Sequence, residues 1–330
     1  MNSTMKATIR DVARQAGVST MTVTRAFRGE LVAKETSRRV MAAAATLNYH
    51  PNTGARILRG GKTMSVGILF SGPANNPVVR KLSEALLKCH YISYIADTLG
   101  DPALTQAALQ DFVSRRVDAI IMHYEAAYLP LLPELEQVSN LVLTSMENRL
   151  PLVRDCCFYN AGQAYREILT AAQQSGRKNL WTLGRHTYIG IRQLFQLQAE
   201  LGISLHHCET SSYPSAPRYS NHADALRDLL KSGERPDGLF TMSDVAAAQS
   251  IRVLREFNLR VPEDVFVVGS DNSELADFCE VPIASIDMNL DKIAEQVVVL
   301  TLERLKNPGS PAQQKFSEAR FIRRKSAEFS

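Results

Sequence analysis

The chain of 330 residues has only five cysteines: Cys89, Cys156, Cys157, Cys208 and Cys279. Their number is odd and no C-x-x-C pair occurs, which excludes a disulfide framework and a cysteine-built zinc site. Buried, inert thiols in a reducing compartment are the expectation. No apolar run reaches the length of a membrane span. The opening M-N-S-T-M-K-A-T has no apolar core of a secretory signal. A cytoplasmic protein with no membrane partner is therefore expected. The sequence also lacks G-x-S-x-G, P-loop and H-E-x-x-H motifs, so it offers no enzyme chemistry and calls for no cofactor. His206-His207-Cys208 is only superficially a metal cluster, because neighbours on a strand point to opposite faces.

Hydrophobic residues make up 45% of the chain and charged ones 22%, ordinary values for large buried cores. The length suggests two or three domains. Net charge is only +4, but it is unevenly placed. Residues 1–60 hold ten Lys/Arg against three Asp/Glu, and the other 270 hold 28 against 31. A basic head on a mildly acidic body is the footprint of a nucleic-acid arm, although charge alone fits a solvated basic face equally well.

Inside that head the stretch 8–27 carries helix signals in order. Thr8 can cap a first helix, with Asp11 three residues on. Val12, Ala13 and Ala16 recur at helical spacing. Gly17 supplies the backbone needed to end that helix and turn. Ser19 is a natural cap for a second helix whose Val23 and Phe27 face inward. Two short helices joined this way form a helix-turn-helix, whose second helix starts in the DNA major groove. Thr20, Met21, Thr22, Thr24 and Arg25 are what it would present outward. An ordinary helical hairpin in a core has the same local pattern, and the sequence that follows decides between them.

A third amphipathic helix is expected over 34–47, with Val40, Ala43, Ala44 and Leu47 inward and Arg38 and Arg39 on its polar side. Asn48-Tyr49-His50-Pro51-Asn52 is turn chemistry. Residues 52–59 could form two helical turns before Gly60-Gly61. Such a segment is well below the ~12 residues that make an isolated helix marginal in water. It is either a plain flexible linker or one that coils only when held. From Met64, apolar runs at 65–70, 119–122, 141–143, 180–183, 238–241 and 265–269 alternate with helical stretches at 78–90, 104–115, 163–175, 192–201, 221–231 and 245–258. Such alternation predicts parallel sheets with helices on both faces, which bind ligands at the carboxyl ends of their strands. Those ends carry Ser71-Gly72, His123-Tyr124-Glu125, Gly184-Arg185, Ser243-Asp244 and Ser270-Asp271-Asn272.

The ordered motifs I-R-D-V-A-R-Q-A-G-V-S-T-M-T-V-T-R, V-A-K-E-T-S-R-R-V and L-N-Y-H-P-N resemble the lactose-repressor/galactose-repressor (LacI/GalR) family of bacterial transcription regulators. Weaker matches follow in the family's order: Asn75–Pro77, R-R-V-D-A-I-I from Arg115, R-P-D-G-L-F, Ser243-Asp244, V-P-E-D-V-F-V-V-G-S-D-N and R-F-I-R-R-K-S. The resemblance implies an all-α headpiece with a hinge helix (1–61, the hinge at about 52–59). It also implies an α/β core over 62–330, like periplasmic sugar-binding proteins, of two doubly wound parallel-sheet subdomains. The chain would cross three times between them, placing about 62–158 and 288–320 in one and about 159–287 in the other. The function implied is a transcriptional regulator of carbohydrate-metabolism genes, a repressor. It would bind a palindromic double-stranded operator as a homodimer, answer to a sugar or sugar phosphate, and sit with the nucleoid through its DNA.

Residue by residue, the family pattern puts Thr20 and Met21 at variable base-reading positions and Arg25 at the usual base-contacting arginine. Arginine can give two hydrogen bonds to guanine, worth ~1–3 kcal/mol of discrimination. Thr8, Ser19, Thr22, Thr24 and Asn52 would hold the head on the backbone. Ala55 and Leu58 would enter the minor groove, Leu58 wedging a base step. In the core, Arg192 and Asp244 match positions that hold sugar hydroxyls or a carboxylate, Tyr213 an aromatic cover, and Asp271 a further polar contact. Ser71 and Asn76 would line the first strand's end. Three positions depart from the pattern: Ser243 where Asn is usual, Val78 where many members carry an aromatic, and Ala33 where Ser or Thr caps the third helix. After the last strand about eight residues remain without leucine heptads, so a dimer is expected rather than a tail-built tetramer. A solute-binding protein would need an export signal and no basic head. A regulator that answers to a protein instead of a small molecule remains open.

Overall fold

The computed structural model describes residues 7–27, 31–49, 62–70, 77–124, 126–146, 150–184, 189–210 and 220–329. The chain divides into two compact units, Met1–Thr63 and Met64–Ser330. Among its described residues the first contains three helices: α1 (Ile9–Ala16), α2 (Thr20–Phe27) and α3 (Lys34–Thr46). Each contributes one fully buried valine, Val12, Val23 and Val40, ringed by Ala13, Ala16, Ala26, Ala43 and Ala44. The small alanines let short helices approach closely, while each valine supplies ~1.5–3 kcal/mol of burial. Phe27 and Tyr49 close one end of this core edge to face at 5.9 Å.

The second unit is built on two six-stranded sheets. Its first part runs β1 (Ser65–Phe70), α4 (Pro77–Lys88), β2 (Ile92–Asp97), α5 (Pro102–Ser114), β3 (Ala119–His123), α6 (Leu132–Gln137), β4 (Leu141–Ser145) and β5 (Asp155–Asn160). Its second runs α7 (Gly162–Gln174), β6 (Asn179–Gly184), α8 (Ile189–Leu201), β7 (Ser204–Glu209), α9 (Ser220–Lys231), β8 (Gly238–Thr241), α10 (Asp244–Glu256), β9 (Phe266–Ser270), α11 (Glu274–Phe278) and β10 (Ala284–Asp287). The chain then returns through α12 (Leu290–Lys306), β11 (Gln314–Glu318) and β12 (Arg320–Ile322).

The first sheet has the order β2-β1-β3-β4-β5-β11 and the second β7-β6-β8-β9-β10-β12. Every pairing is parallel except β12 on β10. Both sheets therefore reverse their winding beside the first strand, between β1 and β3 and between β6 and β8. In open α/β sheets the crevice outside such a reversal receives the ligand. The chain passes between sheets at 160–162, 287–290 and 318–320. Two of these passages are tied together, because Ala319 N donates to Asn160 O at 2.8 Å.

Several elements lie outside the apolar runs that the sequence sets off. β2 is an edge strand with most of its residues exposed or half-buried. β5 begins with the buried carboxylate of Asp155. The helix α12 buries eight residues that recur at helical spacing and form one broad stripe, with the polar Thr301 and Arg304 inside it. All five cysteines are free. Burial pushes the Cys157 thiol up to about 12 and raises Cys156 as well, which keeps this adjacent pair inert. Among the described residues no group of acids, histidines and cysteines could hold a metal, and no helix is long and apolar enough to cross a membrane. His206 stacks on Trp181 at 4.9 Å while His207 reaches Thr182 Oγ1 at 2.7 Å, so the two rings are engaged separately.

Candidate nucleic-acid interface and ligand cleft

The first helix is locked at both ends. Thr8 N and Thr8 Oγ1 both donate to Asp11 Oδ2, at 2.9 and 2.6 Å. These bonds hold the Asp11 carboxyl below its usual range, with Arg14 adding a smaller pull. At the other end Gly17 is left-handed at φ 64°, and Val18 N returns to Ala13 O at 3.0 Å. Only a residue without a Cβ adopts this turn freely. Arg39, which the sequence places simply on the polar side of α3, is engaged in the structure, where its Nη2 donates to Ala16 O at 2.9 Å. It thereby ties the third helix to the carbonyl end of the first.

The turn delivers Ser19 to the start of α2, where its Oγ accepts from Thr22 N at 3.1 Å and lies 2.9 Å from Thr22 Oγ1. Thr24 Oγ1 donates to Thr20 O at 2.9 Å. The cap fixes the outward face: Ser19, Thr20, Met21 and Arg25 are exposed, and Thr22 and Thr24 half-buried. Met21 is 63% exposed on a helix whose other apolar side chains pack inward. A helix end offering hydroxyls, a soft apolar side chain and a guanidinium can contact phosphates, thymine methyls and guanine edges together. Ala33 precedes α3 with no side-chain cap. Asn52, Ala55 and Leu58 lie outside the described residues.

In the cleft, Ser71, Asn76 and Tyr213 also lie outside the described residues. Arg192 falls in the first turn of α8, on a helix that begins beyond the end of β6. Asp244 is placed differently from the sequence reading, which offers it as an acceptor for ligand hydroxyls. It is 1% exposed, and its oxygens are already occupied. Oδ2 accepts from Ser273 N at 2.7 Å and Ser273 Oγ at 2.9 Å, and Oδ1 accepts from Ser285 Oγ at 2.6 Å. Burial raises its pKa, against the opposing pull of those serines and of Arg324. Gly269 makes room for the carboxylate, because a Cβ there would sit 2.3 Å from Asp244 Oδ1. Asp244 thus fastens the start of α10 to β10 and to the loop after β9. That loop carries Asp271, half-buried and left-handed at φ 92°, with its N donating to Ile286 O at 3.0 Å. Asp271 thus lies two residues before Ser273, the residue whose N and Oγ both bind Asp244.

On the first sheet the strand ends gather a cluster that the sequence only half reveals. His123 closes β3, stacked between Phe70 of β1 at 5.4 Å and Tyr159 of β5 at 5.7 Å. Its Nδ1 lies 3.0 Å from both Thr144 Oγ1 and Tyr159 Oη. His123 is visible in the sequence as a strand-end residue. Tyr159 and Thr144 become recognisable only once β4 and β5 are known to flank β3.

Comparison with known proteins agrees with this architecture. Residues 8–52 match the model of bacterial regulatory proteins, lacI family, and residues 162–327 that of the periplasmic binding protein-like domain. The HTH-type transcriptional repressor PurR of Haemophilus influenzae (strain PittEE) is 27% identical over 321 residues, covering 93% of this chain and 94% of the relative. The ribose operon repressor of Escherichia coli (strain K12) is 27% identical over 317 residues, covering 92% and 94%. Among solved structures, the lac repressor dimer bound to operator and the anti-inducer ONPF superposes with a TM-score of 0.81 at 19% identity, covering 97% of this chain and 99% of that one. The transcriptional regulator CelR–cellobiose complex gives 0.67 at 20% identity, with the same coverage. With its helix-turn-helix head matched by the first of these models and its second sheet by the other, the chain belongs to the lacI family of bacterial regulatory proteins.

Proposed function

We propose that the protein is a sequence-specific repressor that grips a palindromic operator as a homodimer and is released or engaged by a small molecule in the cleft. The observation that carries this reading is the outward face of α2, where Met21 stands 63% exposed beside the Ser19 cap, Thr20 and Arg25. A monomer gains nothing from an exposed methionine there, whereas a groove-reading helix does. Base readout falls to Thr20, Met21 and Arg25, and Thr8, Ser19, Thr22, Thr24 and Asn52 hold the backbone.

The homodimer reading is supported by exposed apolar side chains in both halves of the body. Ile92, Tyr94 and Ile95 on edge strand β2 are 64%, 44% and 51% exposed, and Phe278 at the end of α11 is 84% exposed. Large exposed apolar groups mark association surfaces, and an open edge strand is one that proteins ordinarily cover. Two copies bring two 52–59 segments together. In the groove those segments coil, with Ala55 and Leu58 in the minor groove, so their order is the two-state element that couples ligand to operator. A coupling of ~1–3 kcal/mol changes affinity about 5- to 150-fold.

For the effector we favour a sugar or sugar derivative, and carbohydrate-metabolism genes as targets. Asp271 and Arg192, with Ser71, Asn76 and Tyr213, supply acceptors, a donor fork and a ring cover suited to hydroxyls and phosphates. Asp244 acts behind them through Ser273. The ribose operon repressor among the relatives and the cellobiose complex among the fold neighbours support the same class. Selection of genomic fragments by the purified full chain tests the reading. An inverted repeat beside sugar-utilisation genes is expected, and no preference over scrambled duplex at moderate salt overturns it. Leu58→Ala should weaken specific binding at fixed salt while effector binding, followed by calorimetry with sugars and sugar phosphates, stays unchanged.

A further inference from the structure

Arg324 belongs to the closing motif R-F-I-R-R-K-S, just after β12. Its neighbour Arg323 pairs with Glu167 of α7 at the surface, but Arg324 turns inward, with 13% of its side chain exposed. Its three nitrogens reach three points of the excursion between β9 and β10. Nη2 donates to Asn272 Oδ1 at 2.7 Å, Nε to Asp277 Oδ1 at 2.6 Å and Nη1 to Ile283 O at 3.1 Å. Those points are the start of the excursion, its helix α11 and its end. A rigid guanidinium fork therefore staples the whole segment from one side.

The segment needs holding. Asp271 and Asn272 are successive non-glycine residues in left-handed backbone, at φ 92° and 46°. Such backbone persists only where its surroundings over-determine it. Asp271 N donates to Ile286 O and Asn272 N to Ser285 Oγ, both at 3.0 Å, and Arg324 holds the Asn272 side chain. At the far end Ile283 N donates to Ala276 O at 2.8 Å, which closes the segment on itself. Its outer side carries Leu275 and Phe278, 38% and 84% exposed, on either side of Asp277. One guanidinium thus bonds the neighbour of Asp271 and the neighbour of Phe278. We propose that Arg324 is a positioning residue that couples the effector loop at Asp271 to the dimer surface at Phe278, an inference that rests on the homodimer reading. A shift of the loop pulls on Asn272, and through Arg324 on Asp277 and the patch beside it. By linkage, whatever moves the loop changes the dimer constant, and dimerisation changes effector affinity by the same factor.

Sedimentation of the full chain without DNA or ligand tests the coupling, beside urea unfolding of each variant. Arg324→Met should weaken the dimer about tenfold. Asn272→Gly suits the left-handed backbone and removes one acceptor of Arg324, six residues from the patch. It should weaken the dimer about fivefold in the Arg324 chain and add nothing in the Arg324→Met chain. A brace that serves the fold alone would lower unfolding stability and leave the dimer constant where it was. Should Arg324→Met fail to fold, Asn272→Gly and Arg324→Lys, which keeps the charge without the fork, decide the question by the same measurement. A dimer constant indifferent to these changes, or losses that simply add, overturns the proposal alone. An unsubstituted chain that sediments as a monomer at micromolar concentration overturns the homodimer reading and the proposal with it.

Discussion

The two sheets of the body share one winding order and differ in how their last strand is fastened. In the first, β11 lies parallel to β5, and the connection is held by a buried ion pair. Arg304 of α12 gives Nε and Nη2 to the two oxygens of Asp155 at 2.7 and 3.0 Å, and its remaining donors cap the carbonyls of Pro308, Ser310 and Pro311. In the second, β12 runs antiparallel to β10, and the fastening is a neutral serine. Ser326 Oγ donates to Val267 O at 2.6 Å and accepts from Ala284 N at 2.8 Å. The same topology therefore tolerates two unlike locks. The cleft sides differ in parallel: stacked rings and a histidine on the first sheet, carboxylates and serines on the second. A repeated backbone plan fixes where the strand ends meet, and the side chains decide what each half contributes.

The ion-pair lock should be the more fragile to a single change. Arg304→Met leaves the Asp155 carboxylate, 2% exposed, without a counter-charge, and is expected to cost about 3–5 kcal/mol in denaturant unfolding. Adding Asp155→Leu should restore much of that loss. A single-variant cost below about 1 kcal/mol would mean that the pair does not fasten the sheet. Ser326→Ala should cost less, about 1–3 kcal/mol, because it strands one buried N–H and removes no charge. Equal losses for the two variants would erase the distinction between the locks.

The next effect shows only against pH. Burial raises the Asp244 pKa, so between its unfolded value of about 4 and its higher folded value the native state binds the extra proton. Its contribution to stability falls as pH rises through that window and is level above it. Asp244→Asn should remove this slope from urea titrations run at successive pH values. It should also loosen effector binding through Ser273, and an unchanged slope would show that the carboxylate is not desolvated. Smallest is Ala33→Ser, which supplies the missing cap of α3 and should stabilise the head by ~1 kcal/mol in thermal unfolding while leaving the transition of the body in place. A shift of both transitions would argue against a separately folding head.

The head was legible in the sequence nearly to the atom. Thr8 with Asp11, Gly17 as the left-handed turn and Ser19 as the cap act across three or four residues, and the structure places each where the spacing requires. The alternation of strands and helices was legible too, but not the strands whose residues take their meaning from distant partners. The strand that Asp155 opens carries no signal in the sequence, and its carboxylate is neutralised by Arg304, 149 positions later. Asp244 reads as a ligand contact until Ser273 and Ser285, 29 and 41 positions on, take its oxygens. Arg39 reads as a solvated charge until its reach of 23 residues back to Ala16 is seen.

Sequence alone determined what short range can determine: three helices, two of them with side-chain caps, a basic head, and an α/β body whose strands end in polar residues. Those features follow from backbone propensity, capping and hydrophobic period, each set within a few neighbours. Tertiary structure decided the order of strands in each sheet and which acids are occupied internally. Burial and hydrogen bonding between distant segments settle those points, and no local spacing encodes them.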